Sequence, residues 1–185
     1  MRTLGYALLL FALPGICSAT VFTSSDVPVP ILDETTVQST ITVPYGATIT
    51  DVNVLIDTLY HGWTADLWIT LTSPQGTSVI LFNQLGSSGD DLIGTVFDDE
   101  ATNPISSVEA PFTGTYRPYQ PLSAFDGENS GGVWTLTIQD VGPDDIGSLQ
   151  AWRLEVDGSQ GIPEPSTFVL CALGLVLAPL IRRRK

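Results

Sequence analysis

The chain has 185 residues, 20 Asp and Glu against 7 Lys and Arg, and a formal net charge of −13. A surface this acidic excludes nucleic-acid binding, which needs basic patches to neutralise phosphates. A lone His excludes a His-based zinc site, while 43% hydrophobic residues suffice for one folded core.

The N-terminus reads as an export address. Arg2 supplies a short positive region, Leu4 to Leu13 is nearly all apolar, and Pro14-Gly15 breaks the run. Cys17-Ser18-Ala19 offers small residues for signal peptidase, so residues 1–19 are expected to be a signal peptide. Cys17 lacks the small preceding residue of a lipid-modified cysteine, because Ile16 stands there.

Residues 20–157 read as one domain of strands. Val52, Val54 and Ile56 alternate with polar residues, as do Leu67, Ile69 and Leu71. Trp134, Leu136 and Ile138 repeat the pattern, and so do Trp152, Leu154 and Val156. Period two marks half-buried strands, and Thr on the other face suits them. Ser73-Pro74-Gln75-Gly76, Gly86-Ser87-Ser88-Gly89 and Gly142-Pro143-Asp144-Asp145 punctuate them as turns. No amphipathic helix or internal repeat is visible. The expected fold is an all-β sandwich, a jelly roll of about eight strands, with Trp134 and Trp152 in its core. Over residues 20–161, nineteen acids face only Arg117 and Arg153, a net charge of −17. Both cysteines, Cys17 and Cys171, fall outside that stretch. It therefore holds no disulfide, and any staple would be a metal ion.

Residues 158–166 read as a linker containing Pro163-Glu164-Pro165, where the prolines forbid helix and central strand. An uncharged apolar run follows at residues 167–181, then the basic tail Arg182-Arg183-Arg184-Lys185. Cations in that place stay cytoplasmic, so the run is expected to be a transmembrane helix. At about 1.5 Å per residue it covers roughly 22 Å, short of a hydrocarbon core of about 30 Å, and Pro179 interrupts it. Pro-Glu-Pro, apolar span and terminal basic cluster together resemble the PEP-CTERM sorting tail of exported bacterial proteins. The resemblance implies removal by an exosortase, and a destination at the cell surface or in an extracellular matrix with exopolysaccharide. An ordinary single-pass anchor is the other reading.

A second resemblance covers nearly all of residues 20–157. Its blocks are His61-Gly62-Trp63-Thr64-Ala65-Asp66-Leu67, Ser73-Pro74-Gln75-Gly76-Thr77, Asp90-Asp91 and Phe97-Asp98-Asp99-Glu100. Thr113-Gly114-Thr115-Tyr116-Arg117-Pro118, Pro121-Leu122-Ser123-Ala124-Phe125-Asp126-Gly127 and Gly132-Val133-Trp134-Thr135-Leu136 complete them. In that order they resemble the P domain, or P/Homo B domain, of proprotein convertases and bacterial subtilisin-like proteases. The resemblance implies a β jelly roll that follows and stabilises a catalytic domain. No catalytic domain precedes it in this sequence, so no enzymatic activity is expected.

The residues point the same way. His61, Asp98 and Ser130 occur in the order of a serine-protease triad, but Asn129 precedes the Ser where that site has Asp. Gly131-Gly132 reads more simply as the turn opening the Trp134 strand, and His61 as a loop residue with a structural hydrogen bond. Asp90, Asp91, Asp98, Asp99 and Glu100 place five carboxylates within eleven residues. That density suits a hard cation, so these five with Asp66 are the candidate Ca²⁺ ligands. P-domain resemblance implies calcium at such a loop in some members. A second candidate loop runs from Asp126 to Ser130. Tyr60, Trp63 and Tyr119 are candidates for stacking on sugar rings. Three functions follow: a non-catalytic surface or matrix protein, an accessory P domain for a separate subtilisin-like protease, or a lectin-like binder of exopolysaccharide.

Overall fold

The computed structural model describes residues 19–159. All but Ala19 of the expected signal peptide, together with Pro163-Glu164-Pro165, the apolar run and the basic tail, lies outside these residues.

Every alternation read from the sequence becomes a strand with its apolar side inward. β1 (Thr20–Thr23), β2 (Val29–Ile31), β3 (Thr36–Val43) and β4 (Thr48–His61) come first. β5 (Leu67–Thr72), β6 (Ser78–Asn83), β7 (Leu92–Phe97) and β8 (Phe112–Tyr116) follow, then β9 (Gly132–Asp140) and β10 (Gly147–Ser159). Val52, Val54 and Ile56 of β4 are buried, as are Trp134 of β9 and Trp152 of β10. One sheet runs β1-β10-β4-β7-β8, with β2 also on β10; the other runs β3-β9-β5-β6. Their inner faces share one apolar core, which makes a two-layer sandwich.

The described residues form ten strands where about eight were expected. β1 and β2 are the additions, four and three residues long. Such pieces are too short to show period two. They form because β10 is thirteen residues long and offers a free edge beyond β4.

The turn clusters divide by task. Ser73 N–H donates to Thr77 O at 2.8 Å, and Gly76 takes φ +92°, closing the β5–β6 hairpin within one sheet. The clusters at residues 86–89 and 142–145 instead carry the chain from one sheet to the other. These crossings fix what gathers at each end of the sandwich.

Candidate functional site

At one end, β4 finishes with His61 and β9 with Asp140. His61 Nε2–H donates to Asp140 Oδ2 at 3.1 Å, and both side chains are fully buried. On the ring's other side, His61 Nδ1 lies 2.9 Å from Trp63 O and 3.2 Å from Trp63 N, which fixes the imidazole against the loop after β4. Asp140 Oδ1 accepts the Gly142 N–H at 3.1 Å. His61 is therefore a buried strand terminus tying the two sheets, where a loop residue was expected.

This pair holds three loops. The Asp140 N–H reaches Thr35 O, the Val141 N–H reaches Asp66 O, and the Thr64 N–H reaches Gly89 O, each at 2.9 Å. Asp91 Oδ1 accepts the His61 N–H at 3.0 Å. Burial and the neighbouring Asp140, Asp145 and Asp33 charges hold the Asp66 carboxyl above its ordinary range, against a downward pull from His61. Leu32, Tyr60, Trp63, Val141 and Ile146 are exposed on and beside the same loops.

The opposite end holds Asp98, Asp99 and Glu100. The Glu100 N–H donates to Asp98 Oδ1 at 2.7 Å. A shared side-chain hydrogen bond with Asp98 is the largest cause raising the Glu100 carboxyl, with the Asp51 charge adding to it. Asp51 on β4 lies directly across from Asp157 on β10. Burial first, then Asp157, Asp98 and Asp126, push the Asp51 carboxyl up. Asn53 Oδ1 and Asp157 Oδ1 are buried without a hydrogen-bond partner.

The six proposed calcium ligands thus do not form one set. β7 separates Asp90 and Asp91 from Asp98, Asp99 and Glu100, and six residues of strand span about 20 Å. Asp66 lies with the first group. Asp99 is committed elsewhere: its oxygens accept the Leu122 and Ser123 N–H groups at 2.9 and 2.8 Å. In the second candidate loop, Glu128 accepts from Ser73 Oγ at 2.7 Å and from Thr77, and Ser130 Oγ accepts the Ala47 N–H at 2.9 Å. Among the described residues, no three metal-binding side chains stand close enough to hold an ion as placed. Asp51, Asp98, Glu100 and Asp157 crowd like charges together, beside the orphaned Asn53 Oδ1 and Asp157 Oδ1. Sequence proximity missed Asp51 and Asp157, because cross-strand register brings them in.

His61 and Ser130 sit at opposite ends of the sandwich, so they do not assemble with Asp98 into a triad. The stacking candidates also part. Tyr60 and Trp63 belong to the His61 end, while Tyr119 lies over β6, its N–H donating to Leu81 O at 2.9 Å. Tyr119 lines a hollow of about 320 Å³ with Asp99, Pro104, Arg117, Pro118 and Pro121. The sequence reading missed this hollow, whose walls come from segments 99–104 and 117–121.

The geometry defines a β-sandwich module whose ionisable groups cap strands and loops. The chain belongs to the proprotein convertase P-domain family, whose model matches residues 49–156. β1, β2 and β3 precede the matched stretch yet complete both sheets. Leupeptin-inactivating enzyme 1 of Streptomyces exfoliatus is 28% identical over 137 residues, covering 71% of this chain and 24% of that protein. A serine protease of Aeromonas sobria, solved in complex with the chaperone ORF2, shares the fold at a TM-score of 0.51 and 21% identity. That likeness covers 78% of this chain and 28% of the solved chain. The chain therefore spans about a quarter of the proteins it resembles.

Proposed function

We propose that this chain is an exported, non-catalytic P-domain module that docks on and stabilises a separate subtilisin-like serine protease. One observation carries the reading: the likeness to a serine protease and to a leupeptin-inactivating enzyme is confined to about a quarter of their length, and that quarter is this sandwich. The ionisable groups at its two ends support it, being tied into loops rather than poised around a nucleophile. A jelly-roll order of the strands, a cleaved signal peptide and a PEP-CTERM tail removed by an exosortase belong to the same proposal. They place the module at the cell surface or in the extracellular matrix.

Calcium enters as a counter-ion for the Asp51, Asp98, Glu100 and Asp157 group, where like charges crowd and Asp157 Oδ1 is buried without a partner. Its place is structural, holding the end of the sandwich together.

The test is deletion of the gene in its own host. The extracellular serine protease activity is expected to lose thermal half-life and to regain it when the secreted chain is added back. An unchanged half-life would overturn the accessory reading and favour a matrix role. Intact mass of the secreted chain is expected to end between residues 160 and 166. A mature chain that keeps Arg182 to Lys185 in the inner membrane would make the tail an anchor.

A further inference from the structure

The His61 end carries five large exposed apolar side chains on adjoining loops. Leu32 follows β2, Trp63 follows β4, and Val141 and Ile146 flank the β9–β10 turn, with Tyr60 beside them on β4. Leu32 is 56% exposed and Ile146 63%, at positions where a polar residue would cost the fold nothing. Gly147 pairs with Ile31 on one side and His61 on the other, so Leu32, Ile146 and Gly62 adjoin. The buried His61–Asp140 pair makes this a rigid tip. Both chain exits lie at the other end: Thr20 is opposite Val156, and Ser159 is opposite Thr48.

We propose that this tip is the surface that docks on the partner protease, in an apolar depression rimmed by Lys and Arg. The inference rests on the accessory reading above and names its face. Charge selects the occupant. Asp33, Asp66, Asp90, Asp144 and Asp145 surround the apolar residues, and the only Arg side chains of the described residues are Arg117 and Arg153, both away from the tip. A second copy would set one acidic rim against another, and an anionic membrane would be repelled in the same way. A sugar would need a flat aromatic platform with hydrogen-bond donors, and three of the five residues are aliphatic. An apolar centre with a charged rim is the anatomy of a protein interface, and Trp and Tyr are its usual anchors.

The test places a photo-crosslinking phenylalanine analogue at Trp63 or Ile146, and separately at Tyr45 or Val133. The last two are exposed at the opposite end. The full chain is exported from its own host, irradiated, and its adducts are identified by mass spectrometry. A serine protease captured from Trp63 and Ile146 alone is expected. With that purified pair, Trp63→Ala with Ile146→Ser should weaken binding at least about tenfold. Asp33→Asn with Asp145→Asn should slow association at low salt. Melting temperature should change little, since all four side chains are outside the core. A protease captured only from Tyr45 or Val133 overturns the tip and leaves the accessory reading standing. A protein that is not a protease, or a second copy, at the tip overturns the accessory reading and the named occupant together. No adduct from any of the four positions overturns the tip.

Discussion

Trp152 Nε1 donates to Ser39 Oγ at 2.7 Å, and Ser39 Oγ donates onward to Asp26 Oδ1 at 2.5 Å. Two buried polar groups are thereby satisfied across 113 residues of sequence. Ser39→Ala leaves the indole N–H buried and unpaired, so it should cost about 1–3 kcal/mol in denaturant unfolding. Burial pushes the Asp26 carboxyl up, but hydrogen bonds from Ser39 and Thr40 outweigh it and hold it below the ordinary value. Asp26 therefore stabilises the fold above its unfolded pKa, and that contribution is lost as pH falls through the lower folded value. Asp51 and Glu100 act with the opposite sign. Their raised carboxyls bind protons more tightly in the fold, so their cost is present at neutral pH and eases as pH falls toward the ordinary carboxylate range. The two signs together predict maximal stability in mild acid, just above about pH 4. A melting series against pH checks this. Asp51→Asn should gain about 0.5 kcal/mol at pH 7, the size of a like-charged cross-strand pair, and should flatten the neutral side of the curve.

Among the elements, β10 does the most joining. It pairs with β1, β2 and β4, and its first residue allows this. A Cβ on Gly147 would stand 2.2 Å from Tyr60 O, a main-chain atom that cannot swing aside. Gly147→Ala should therefore push β10 off β4 and cost about 1–3 kcal/mol, as overpacking does. Chemical denaturation measures the loss, and raised protease nicking at residues 141–147 would place it at the tip. Arg153 on β10 forks onto Asp57 of β4, with Nε–Oδ2 at 2.8 Å and a second bond at 2.5 Å to Oδ1. The Asp57 hydrogen bond is the main cause holding that guanidinium above its ordinary range. β3 is the edge of the smaller sheet, and the Asp26 carboxylate accepts the Thr40 N–H there at 2.7 Å. A charge at that position blunts the edge against pairing with another chain.

For the whole molecule, a net charge of −17 over residues 20–161 makes cations the natural stabiliser. Calcium is expected to raise the melting temperature. At tenfold excess over its dissociation constant a single site contributes about 1.4 kcal/mol. Protons and calcium would neutralise the same Asp51 and Glu100 carboxylates, whose affinity for protons is raised, so their effects should not add. The calcium shift should be large at pH 7 and shrink as pH falls toward the ordinary carboxylate range. Asp98→Asn with Glu100→Gln should abolish most of the shift. An equal shift in wild type and variant would mean general screening.

What the sequence determined by itself was the set of strands and which way they face. Val52, Leu67, Trp134 and Trp152 declare their burial through period two, a local signal needing no knowledge of partners. The P-domain blocks were legible for the same reason, since each is a short run of fixed turn and strand residues. Who meets whom was decided only by the tertiary structure. Asp90 and Asp98 are eight residues apart in sequence, but a strand lies between them and puts them at opposite ends. His61 and Asp140 are 79 residues apart and share a buried hydrogen bond. Asp51 meets Asp157 through antiparallel register alone. Periodicity records the face of a strand, whereas contact depends on sheet order and register, which arise from closing both sheets over one core.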